Sequence, residues 1–267
     1  MFIKLIIKVL IISILILLPY IYHQISVFKV EKVLIKPYKK SLKNKIKIIQ
    51  ISDYHNNNLI NKKRLVNEIE KLNPNIIVLT GDIIDSKTEE LDNTIEFLKS
   101  IKQVNDNIYS VSGNHELRNK KRQEFEERLE DIGIYDLNYN YKTLNIGEDK
   151  INLCGIPYYR VGEKRDLNFN NLDESLFTIF LSHSPKKALE YKEFKSDLII
   201  SGHIHGGQIR VPLIGALVSP ESGFFPKYSK GLYDLGDKKL YIDSGLGNSS
   251  INLRILNRIQ ISLIEIE

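Results

Sequence analysis

The stretch "DLIISGHIHGGQ" (residues 197–208) runs from a short apolar segment into a glycine-rich turn that holds His203 and His205. The apolar segment, 197–200, is typical of a buried strand. Two histidines at positions i and i+2 point the same way if strand geometry persists. Gly202 and Gly206 would let the backbone approach a crowded centre. The stretch therefore predicts a strand that delivers two imidazoles to one site.

The same transition, from an apolar strand into a polar cluster, occurs at four other places in the chain. These clusters are "SDYH" (52–55), "GDIID" (81–85), "GNHE" (113–116) and "SHSP" (182–185). Five of the six histidines lie in the five clusters, and only His23 does not. In open α/β sheets, ligands bind in the crevice beyond the carboxyl ends of the strands. We therefore expect the five clusters to meet at one edge.

The segments between the clusters predict an α/β fold. Strands are expected at 46–52, 76–80 and 108–112, and helices at 61–72, at 88–101 and at 119–131. Asn61 and Thr88 stand at the expected N-caps of the first two helices. The second half has little helical pattern, and its strands are expected around 142–146, 151–154, 177–181, 197–200, 209–213, 231–235, 239–243 and 259–266. Sheet-flanking helices in the first half and a strand-rich second half follow from this pattern.

The side chains in the clusters are typical of a metal site. The candidate ligands are aspartate, asparagine and histidine, namely Asp53, His55, Asp82, Asn114, His183, His203 and His205. A mixture of oxygen and imidazole ligands without thiolate suits Mn, Fe or Zn. The single cysteine, Cys154, stands in the apolar run "INLCG" and is expected in the core. Seven candidates exceed what one ion takes, so two divalent ions are predicted.

Each cluster taken alone has an ordinary structural explanation. Asp and Asn favour turns and helix caps, so "GDIID" or "GNHE" could be nothing more than a capping turn. Five such clusters in this order, each following a strand, are not expected from independent turns. The metal site is therefore the interpretation that the whole chain favours.

The order D-x-H, G-D-x-x-D, G-N-H-E, H, G-H-x-H resembles the calcineurin-like metallophosphoesterases over residues 45–267. The segment 202–236 looks like a bacterial membrane- or envelope-associated phosphodiesterase subgroup of that family. The resemblance implies a sandwich of two sheets flanked by helices. It also implies a metal-dependent hydrolase of phosphoric esters, in which a metal-bridging hydroxide attacks phosphorus.

The resemblance assigns a role to each matching position. Asp53, His55 and His205 would hold the first metal, and Asn114, His183 and His203 the second. Asp82 would bridge the two ions. His115 would be the general acid for the leaving oxygen, oriented by Asp85.

One position departs from the protein-serine/threonine-phosphatase branch of the family. That branch resembles G-D-x-V-D-R-G at the second motif, whereas "GDIIDSK" has Ser86 in place of the phosphate-binding arginine. A phosphoprotein substrate is therefore less expected than a phosphodiester. Arg254 is a further candidate for a phosphate contact, but a solvated arginine or one in a salt bridge would give the same pattern.

The N-terminus predicts a membrane anchor. Residues 9–18, "VLIISILILL", with their apolar flanks reach about 20 residues, near the length that a bilayer requires. We predict a signal-anchor at 1–22, a Lys-rich stem or linker at 23–44 and the metallophosphoesterase domain at 45–267. A cleaved signal peptide is the alternative, although no small-residue cleavage site follows Pro19. The export-like start predicts an extracytoplasmic domain, whereas eight lysines between residues 29 and 47 favour the cytoplasmic side or contact with anionic lipid.

The charge distribution bears on the partners. The chain has a net charge of +5, but the first 50 residues carry ten lysines and one acid, which leaves −4 for residues 51–267. The basic character therefore belongs to the N-terminal segment and not to the domain, and specific nucleic-acid binding, which needs a basic face on the domain, is not expected. The expected partners are a phosphoester substrate and the membrane. Two alternatives remain open: a hydrolase of phospholipid or nucleotide-linked lipid pyrophosphate, and a metal-stabilised scaffold without catalysis.

Overall fold

The computed structural model describes residues 2–219, 223–248 and 252–267. Residues 220–222 of the quoted segment 202–236 therefore lie outside the described part. Two six-stranded sheets pack face to face, and helices cover their outer faces. The predicted α/β sandwich is confirmed.

The first sheet has its parallel strands ending at one edge. Numbered along the chain and given in spatial order, its strands are β1 (Lys29–Ile35), β16 (Gln260–Ile266), β2 (Ile46–Ile51), β3 (Ile76–Leu79), β4 (Ile108–Ser110) and β5 (Tyr135–Asp136). Strands β2 to β5 are parallel, β16 is antiparallel to β2, and β1 is parallel to β16. Strand β1 therefore begins at the edge where β2, β3 and β4 end.

The second sheet has four parallel central strands and an antiparallel strand at each edge. In spatial order its strands are β14 (Gly231–Asp234), β15 (Lys239–Ile242), β9 (Leu198–Ser201), β8 (Phe177–Ser182), β7 (Asp149–Ile156) and β6 (Asn140–Ile146). Two small hairpins follow β9, formed by β10 (Arg210–Val211) with β11 (Gly215–Ala216) and by β12 (Val218–Ser219) with β13 (Gly223–Phe224).

Three buried clusters hold the layers together. The central cluster joins side chains of the two facing sheets, for example Ile48 and Val78 with Leu153 and Ile200. The outer cluster of the first sheet includes residues of its helices, and that of the second sheet contains Cys154, which is fully buried as expected. The helices are α1 (Phe2–Ser26), α2 (Lys62–Leu72), α3 (Asp92–Lys102), α4 (Asn114–Arg118), α5 (Arg122–Asp131) and α6 (Pro185–Leu189).

Helix boundaries follow the expectations in part. Asn61 caps α2 as predicted, because its side-chain oxygen accepts a hydrogen bond from the backbone N–H of Arg64 at 2.9 Å. The Thr88 cap is wrong, since α3 begins only at Asp92. The Thr88 hydroxyl instead accepts from the backbone N–H of Asp85 at 3.0 Å and so closes the loop after β3.

The N-terminal helix α1 is long and apolar enough to cross a membrane, and its apolar part is not buried against the domain. Only its last turn packs on the domain, where Gln24, Ile25 and Ser26 are buried. The Gln24 carbonyl oxygen accepts from the backbone N–H of Ile259 at 3.0 Å. The helix therefore ends against the edge at which β1 begins.

The segment 23–44, predicted as a Lys-rich stem or linker, contains the end of α1 and the strand β1. Residues Lys29–Ile35 form β1, which pairs along its whole length with β16 because this strand would otherwise be an open edge. Seven residues of strand span about 20 Å, so the following lysines lie at the end of the domain away from α1. Lys40 and Lys45 form ion pairs there with Asp197 at 2.9 Å and with Glu267 at 2.8 Å.

Candidate metal centre

The five predicted clusters meet where the two sheets present the carboxyl ends of their parallel strands. Asp53 and His55 follow β2, Asp82 follows β3, and Asn114 lies just beyond β4. From the second sheet, His183 follows β8 directly, and His203 and His205 follow β9. All seven predicted ligands are thereby brought together around one buried space.

The first group of side chains consists of Asp53, His55 and His205, whose ligand atoms lie within 4.8 Å of one another. His205 Nε2 lies 3.5 Å from Asp53 Oδ1. The imidazoles of His55 and His205 stack with their centroids 5.2 Å apart. These three side chains are almost fully buried, which excludes a surface cluster of solvated charges.

The second group surrounds Nε2 of His183. Asp82 Oδ2 and Asn114 Oδ1 each lie 3.2 Å from this nitrogen, and His203 Nδ1 lies 3.0 Å from it. The Asp82 oxygen also lies 3.7 Å from His55 Nε2, which belongs to the first group. One carboxylate oxygen of Asp82 therefore stands between the two groups.

The donor and acceptor chemistry of the cluster fits bound cations. His183 Nδ1 lies 2.8 Å from the Thr80 carbonyl oxygen and must donate its proton there, so Nε2 is the nitrogen that faces the acceptor oxygens of Asp82 and Asn114. Both nitrogens of His55 are buried without a hydrogen-bond partner among the described residues. Buried polar atoms are normally paired. Bound cations would pair with the lone pairs of these buried nitrogen and oxygen atoms.

The pKa values of the buried groups reflect the crowding of charge. Burial lowers the pKa of His183, but the charges of Asp82 and Asp53 outweigh it and raise the pKa to about 10. Burial lowers the pKa of His203 to about 3 and holds that of His205 well below its usual range. The last two rings are therefore neutral at pH 7, which is the form that binds a metal.

The backbone at the cluster is strained. Five of the seven predicted ligands have left-handed backbone conformations, with φ of 49° at Asp53, 48° at His55, 54° at Asp82, 70° at His203 and 49° at His205. Such values are uncommon outside glycine, and they concentrate at functional sites. The expected strand geometry of the His203 and His205 pair is wrong, since β9 ends at Ser201 and His205 starts a short 3-10 helix. The tight turns after β9 therefore orient the imidazole rings of His203 and His205.

Gly202 and Gly206 are required where the sequence predicted a close approach. A Cβ atom at Gly202 would overlap the Ser52 hydroxyl and crowd the Asp53 carboxylate. Gly206 has a φ of 62°. The backbone N–H of His203, next to Gly202, donates to both oxygens of Asp53 at 3.0 and 3.1 Å. The close approach therefore ties the two sheets together at the cluster.

His115 and Asp85 stand in contact beside the predicted metal ligands. Asp85 Oδ2 lies 2.9 Å from His115 Nδ1, and His115 Nε2 lies 3.9 Å from the Asp82 oxygen. The His115 side chain is 20% exposed, whereas the side chains of His55 and His205 are each 4% exposed. His115 thus lies at the mouth of the cluster, where a substrate can reach it.

Sequence reasoning missed Glu116, the last residue of "GNHE". Its buried carboxylate accepts four backbone N–H groups, those of Asp82 at 2.8 Å, Ile83 at 2.6 Å, Ile84 at 3.1 Å and Gly113 at 2.8 Å. It therefore joins the loop that carries Asp82 to the loop that carries Asn114. The available signal was its position three residues after Gly113, where a carboxylate can cap the start of a helix.

Arg254 lies beside the cluster, but it is fully buried. Its guanidinium donates to the carbonyl oxygens of Ser244 and Gly247 at 2.7 and 2.6 Å, and Nη2 lies 3.3 Å from His205 Nδ1. The Arg254 donors therefore bond to acceptors of the protein itself, and the side chain stabilises the backbone beside His205. Tyr158, which the sequence did not single out, places its ring 5.6 Å from that of His203.

Comparison with known proteins agrees with this geometry. The family model described as calcineurin-like phosphoesterase matches residues 46–207. The chain is 28% identical to the uncharacterized metallophosphoesterase YkuE of Bacillus subtilis (strain 168), over 83% of this chain and 79% of that protein. It is 27% identical to a transmembrane protein with metallophosphoesterase domain from Danio rerio, over 83% of this chain and 53% of that protein.

Among solved structures, the protein TT1561 of Thermus thermophilus has the same fold. The match has a TM-score of 0.51 and 11% sequence identity, and it covers 76% of this chain and 91% of TT1561. The family match spans all five strand-end clusters, from Asp53 to His205. The chain therefore belongs to the calcineurin-like phosphoesterase family.

Proposed function

We propose that this chain is a phosphodiesterase that works with two divalent metal ions held at the strand-end cluster. Asp53, His55 and His205 would hold one ion, and Asn114, His183 and His203 would hold the other. Asp82 would serve both. The observation that carries this proposal is the position of one Asp82 oxygen, 3.2 Å from His183 Nε2 and 3.7 Å from His55 Nε2.

When bound, the two ions would polarise the phosphoryl group and lower the pKa of a water molecule for attack on phosphorus. His115 supplies the proton that the leaving oxygen needs, because it borders the cluster and remains partly accessible. Asp85 holds His115 Nδ1, so Nε2 is the nitrogen that faces the cluster. Burial lowers the pKa of His115 from its usual value, and the charge of Asp85 opposes this by favouring the charged imidazole.

The ligand set suits manganese, iron or zinc. All seven ligands offer oxygen or imidazole nitrogen, and Cys154, the only cysteine, is in the core. A thiolate-rich zinc site is thereby excluded, whereas mixed oxygen and nitrogen sites accept several of these ions.

A phosphodiester is the substrate class that we favour over a phosphoprotein. The position after Asp85 is Ser86, which offers no charged group for the second negative charge of a phosphate monoester. Arg254 does not replace this group, because its donors are directed at the carbonyl oxygens of Ser244 and Gly247. A diester carries one charge less and needs less compensation.

The test uses the full chain in detergent or lipid nanodiscs, because β1 makes residues 29–35 part of the domain. The protein is loaded with Mn²⁺, Fe²⁺ or Zn²⁺ and assayed on bis-p-nitrophenyl phosphate and p-nitrophenyl phosphate. We expect hydrolysis with at least one ion and faster turnover of the diester. A faster monoester reaction would contradict the diester preference.

A scaffold without catalysis makes the opposite prediction. Metal-loaded protein would then cleave no aryl phosphodiester or nucleotide, and His115→Ala would leave every measurable property unchanged. The complete ligand set and the contact between His115 and Asp85 favour the enzyme.

A second candidate function is hydrolysis of a phospholipid or a nucleotide-linked lipid pyrophosphate at the bilayer. It is favoured by the position of α1, whose last turn docks at the edge of the sheets where the metal ligands lie. Comparing turnover of a soluble diester with turnover of lipid in vesicles separates the two candidates.

We further propose that α1 is an uncleaved anchor and that the domain lies outside the cytoplasm. Lys4 and Lys8 precede the apolar run, as in exported proteins, and the buried residues Gln24 to Ser26 give the helix a structural role in the domain. Protease added to intact spheroplasts should digest the domain. Digestion only after lysis would place it in the cytoplasm.

A further inference from the structure

Large apolar side chains are exposed on the two small hairpins that follow β9 and on the neighbouring chain at Leu256. We call this the hairpin surface. Its members and their exposed fractions are Leu213 (107%), Phe224 (80%), Phe225 (65%), Ile214 (61%), Leu256 (56%) and Val218 (40%). Elsewhere in the described part of the domain, exposed large apolar side chains such as Leu59, Tyr135 and Val161 stand far apart in the sequence. An apolar patch of this kind marks an interaction surface.

The hairpin surface is continuous with the segment on which α1 docks. The backbone N–H of Leu256 donates to the Tyr20 hydroxyl of α1 at 2.9 Å. The adjacent Asn257 donates its backbone N–H to the Gln24 side chain at 3.2 Å. Leu256 therefore lies beside the end of the anchor helix.

Backbone hydrogen bonds connect the segment next to Leu256 with both hairpins. Arg210 at the start of the first hairpin donates to the Ile255 carbonyl oxygen at 3.0 Å. Phe225, at the end of the second hairpin, donates to the Leu217 carbonyl oxygen at 3.0 Å, and Leu217 in turn donates to the Ile209 carbonyl oxygen at 3.1 Å. The exposed apolar residues thus belong to one connected layer.

The position of Tyr20 along α1 indicates at what level of the anchor helix this layer lies. It precedes Ser26 by six residues, which places it about 9 Å nearer the apolar part of α1. Tyrosine is enriched where a transmembrane helix passes the headgroups. Leu256, bonded to Tyr20, lies at the same level.

We propose that the hairpin surface is a second membrane contact, which inserts its apolar side chains into the lipid interface beside α1. The occupant is the lipid bilayer, since the surface is continuous with the helix that enters the bilayer. Residues 209–230 contain three basic residues, Arg210, Lys227 and Lys230, against one acid, Glu221, and this excess of basic residues suits an anionic surface. The inference rests on the anchor proposed for α1, and it does not depend on catalysis.

The exposed apolar residues also occupy costly backbone conformations. Leu213, Phe225 and Leu256 have φ of 69°, 50° and 52°. Bulky residues rarely adopt such values. A conformation that strains the backbone and exposes apolar side chains to water is stabilised if those side chains enter lipid.

The metal cluster lies beside this surface. Asn257, next to Leu256, donates its side-chain amide to the His205 carbonyl oxygen at 2.7 Å. Insertion of the hairpin surface into the lipid interface would therefore hold the metal cluster at the level of the headgroups. Where the proposed phosphoesterase activity holds, this position selects the phosphoester of a membrane amphiphile as substrate.

The chain contains no tryptophan, so one introduced tryptophan reports its own surroundings. Phe224→Trp is made in the full chain and reconstituted into vesicles of phosphatidylcholine and phosphatidylglycerol. Lipids brominated near the top of their acyl chains serve as quenchers. The matched control is Tyr38→Trp, which exposes an aromatic ring beside Lys239, at the opposite ends of the sheet strands.

We expect the Phe224→Trp fluorescence to shift to the blue and to lose most of its intensity with brominated lipid, while Tyr38→Trp keeps its intensity. Equal intensity of Phe224→Trp with and without bromine would overturn the proposal. A blue shift that depends on protein concentration and not on bromine would also overturn it, because a second copy of the chain would then cover the surface.

A second measurement connects the surface to substrate choice. Leu213→Ser with Phe224→Ser should leave hydrolysis of a soluble aryl diester within about twofold and slow hydrolysis of vesicle lipid about tenfold. Equal loss on both substrates would contradict the role of the surface. Absence of activity in the unmodified protein would instead contradict the proposed function and leave the quenching result to decide the membrane contact.

Discussion

Replacing Glu116 by glutamine tests whether this carboxylate holds the metal-binding loops in place. Glu116→Gln keeps the size of the side chain and removes no proposed metal ligand. In the parent protein, Oε1 accepts from Ile83 and Ile84, and Oε2 accepts from Asp82 and Gly113. An amide can present only one acceptor oxygen, so one of these pairs of N–H groups must face an NH₂ group.

The magnitude follows from the two N–H groups that lose their acceptor. Each buried donor left unsatisfied costs about 1–3 kcal/mol. The loss of a buried negative charge offsets part of this cost, because burial and the charge of Asp82 raise the pKa of Glu116 to about 7. We therefore expect a net loss of about 2–4 kcal/mol in the free energy of unfolding. In a domain of this size the midpoint of thermal unfolding falls by about 2–4 °C for each kcal/mol.

The assay is thermal and urea unfolding of the full chain in detergent without metal, followed by circular dichroism. Glu130→Gln is the matched control, since Glu130 is exposed on α5 and should change stability by less than about 0.5 kcal/mol. Metal titration of Glu116→Gln should also show affinity reduced about 10–100-fold, because the backbone of Asp82 is no longer held. Unfolding indistinguishable from that of Glu130→Gln would refute the reasoning.

Three further predictions concern the site and its surroundings. Asp82→Ala should abolish metal loading, measured by elemental analysis, and turnover, because both ligand groups lose their shared oxygen; retention of two ions would contradict this. His115→Ala should keep the metals and slow turnover about 10²–10⁴-fold, and unchanged turnover would remove it from catalysis. Burial lowers the pKa of Lys230 from 10.5 to about 7. Between these values the unfolded chain binds a proton at Lys230 that the folded chain does not, so this residue contributes a free energy of unfolding that rises with pH between 7 and 10.5. The free energy of unfolding of the parent protein minus that of Lys230→Met should therefore increase over this range, and a constant difference would contradict the assignment.

Much of the site could be predicted from the sequence because its residues follow strands directly. Where an apolar strand runs into a polar cluster, the sequence indicates that the strand is buried and at which edge of the sheet the cluster lies. Asp82 and His183 are examples, because each follows a buried strand. The ligand types then indicate the chemistry without any knowledge of distances. The fold class, the candidate metal site and the family follow from such local patterns.

Other features could not be predicted because they depend on partners far apart in the chain. Residues 29–35 look like a basic linker, and they become a strand only because β16, at the far end of the chain, offers an edge. Glu116 looks like a helix-capping residue until the loop of Asp82 packs against it. Arg254 looks like a surface charge until its burial is known.

The sequence by itself determined which side chains can bind metal and that they stand at strand ends, because the alternation of apolar strands and polar turns depends on residues that are close in sequence. Only the tertiary structure decided how the ligands divide around Asp82, which rings the strained turns aim inward, and that α1 docks beside the cluster. These depend on distances of a few ångströms between segments that are remote in sequence, and packing of the two sheets sets those distances.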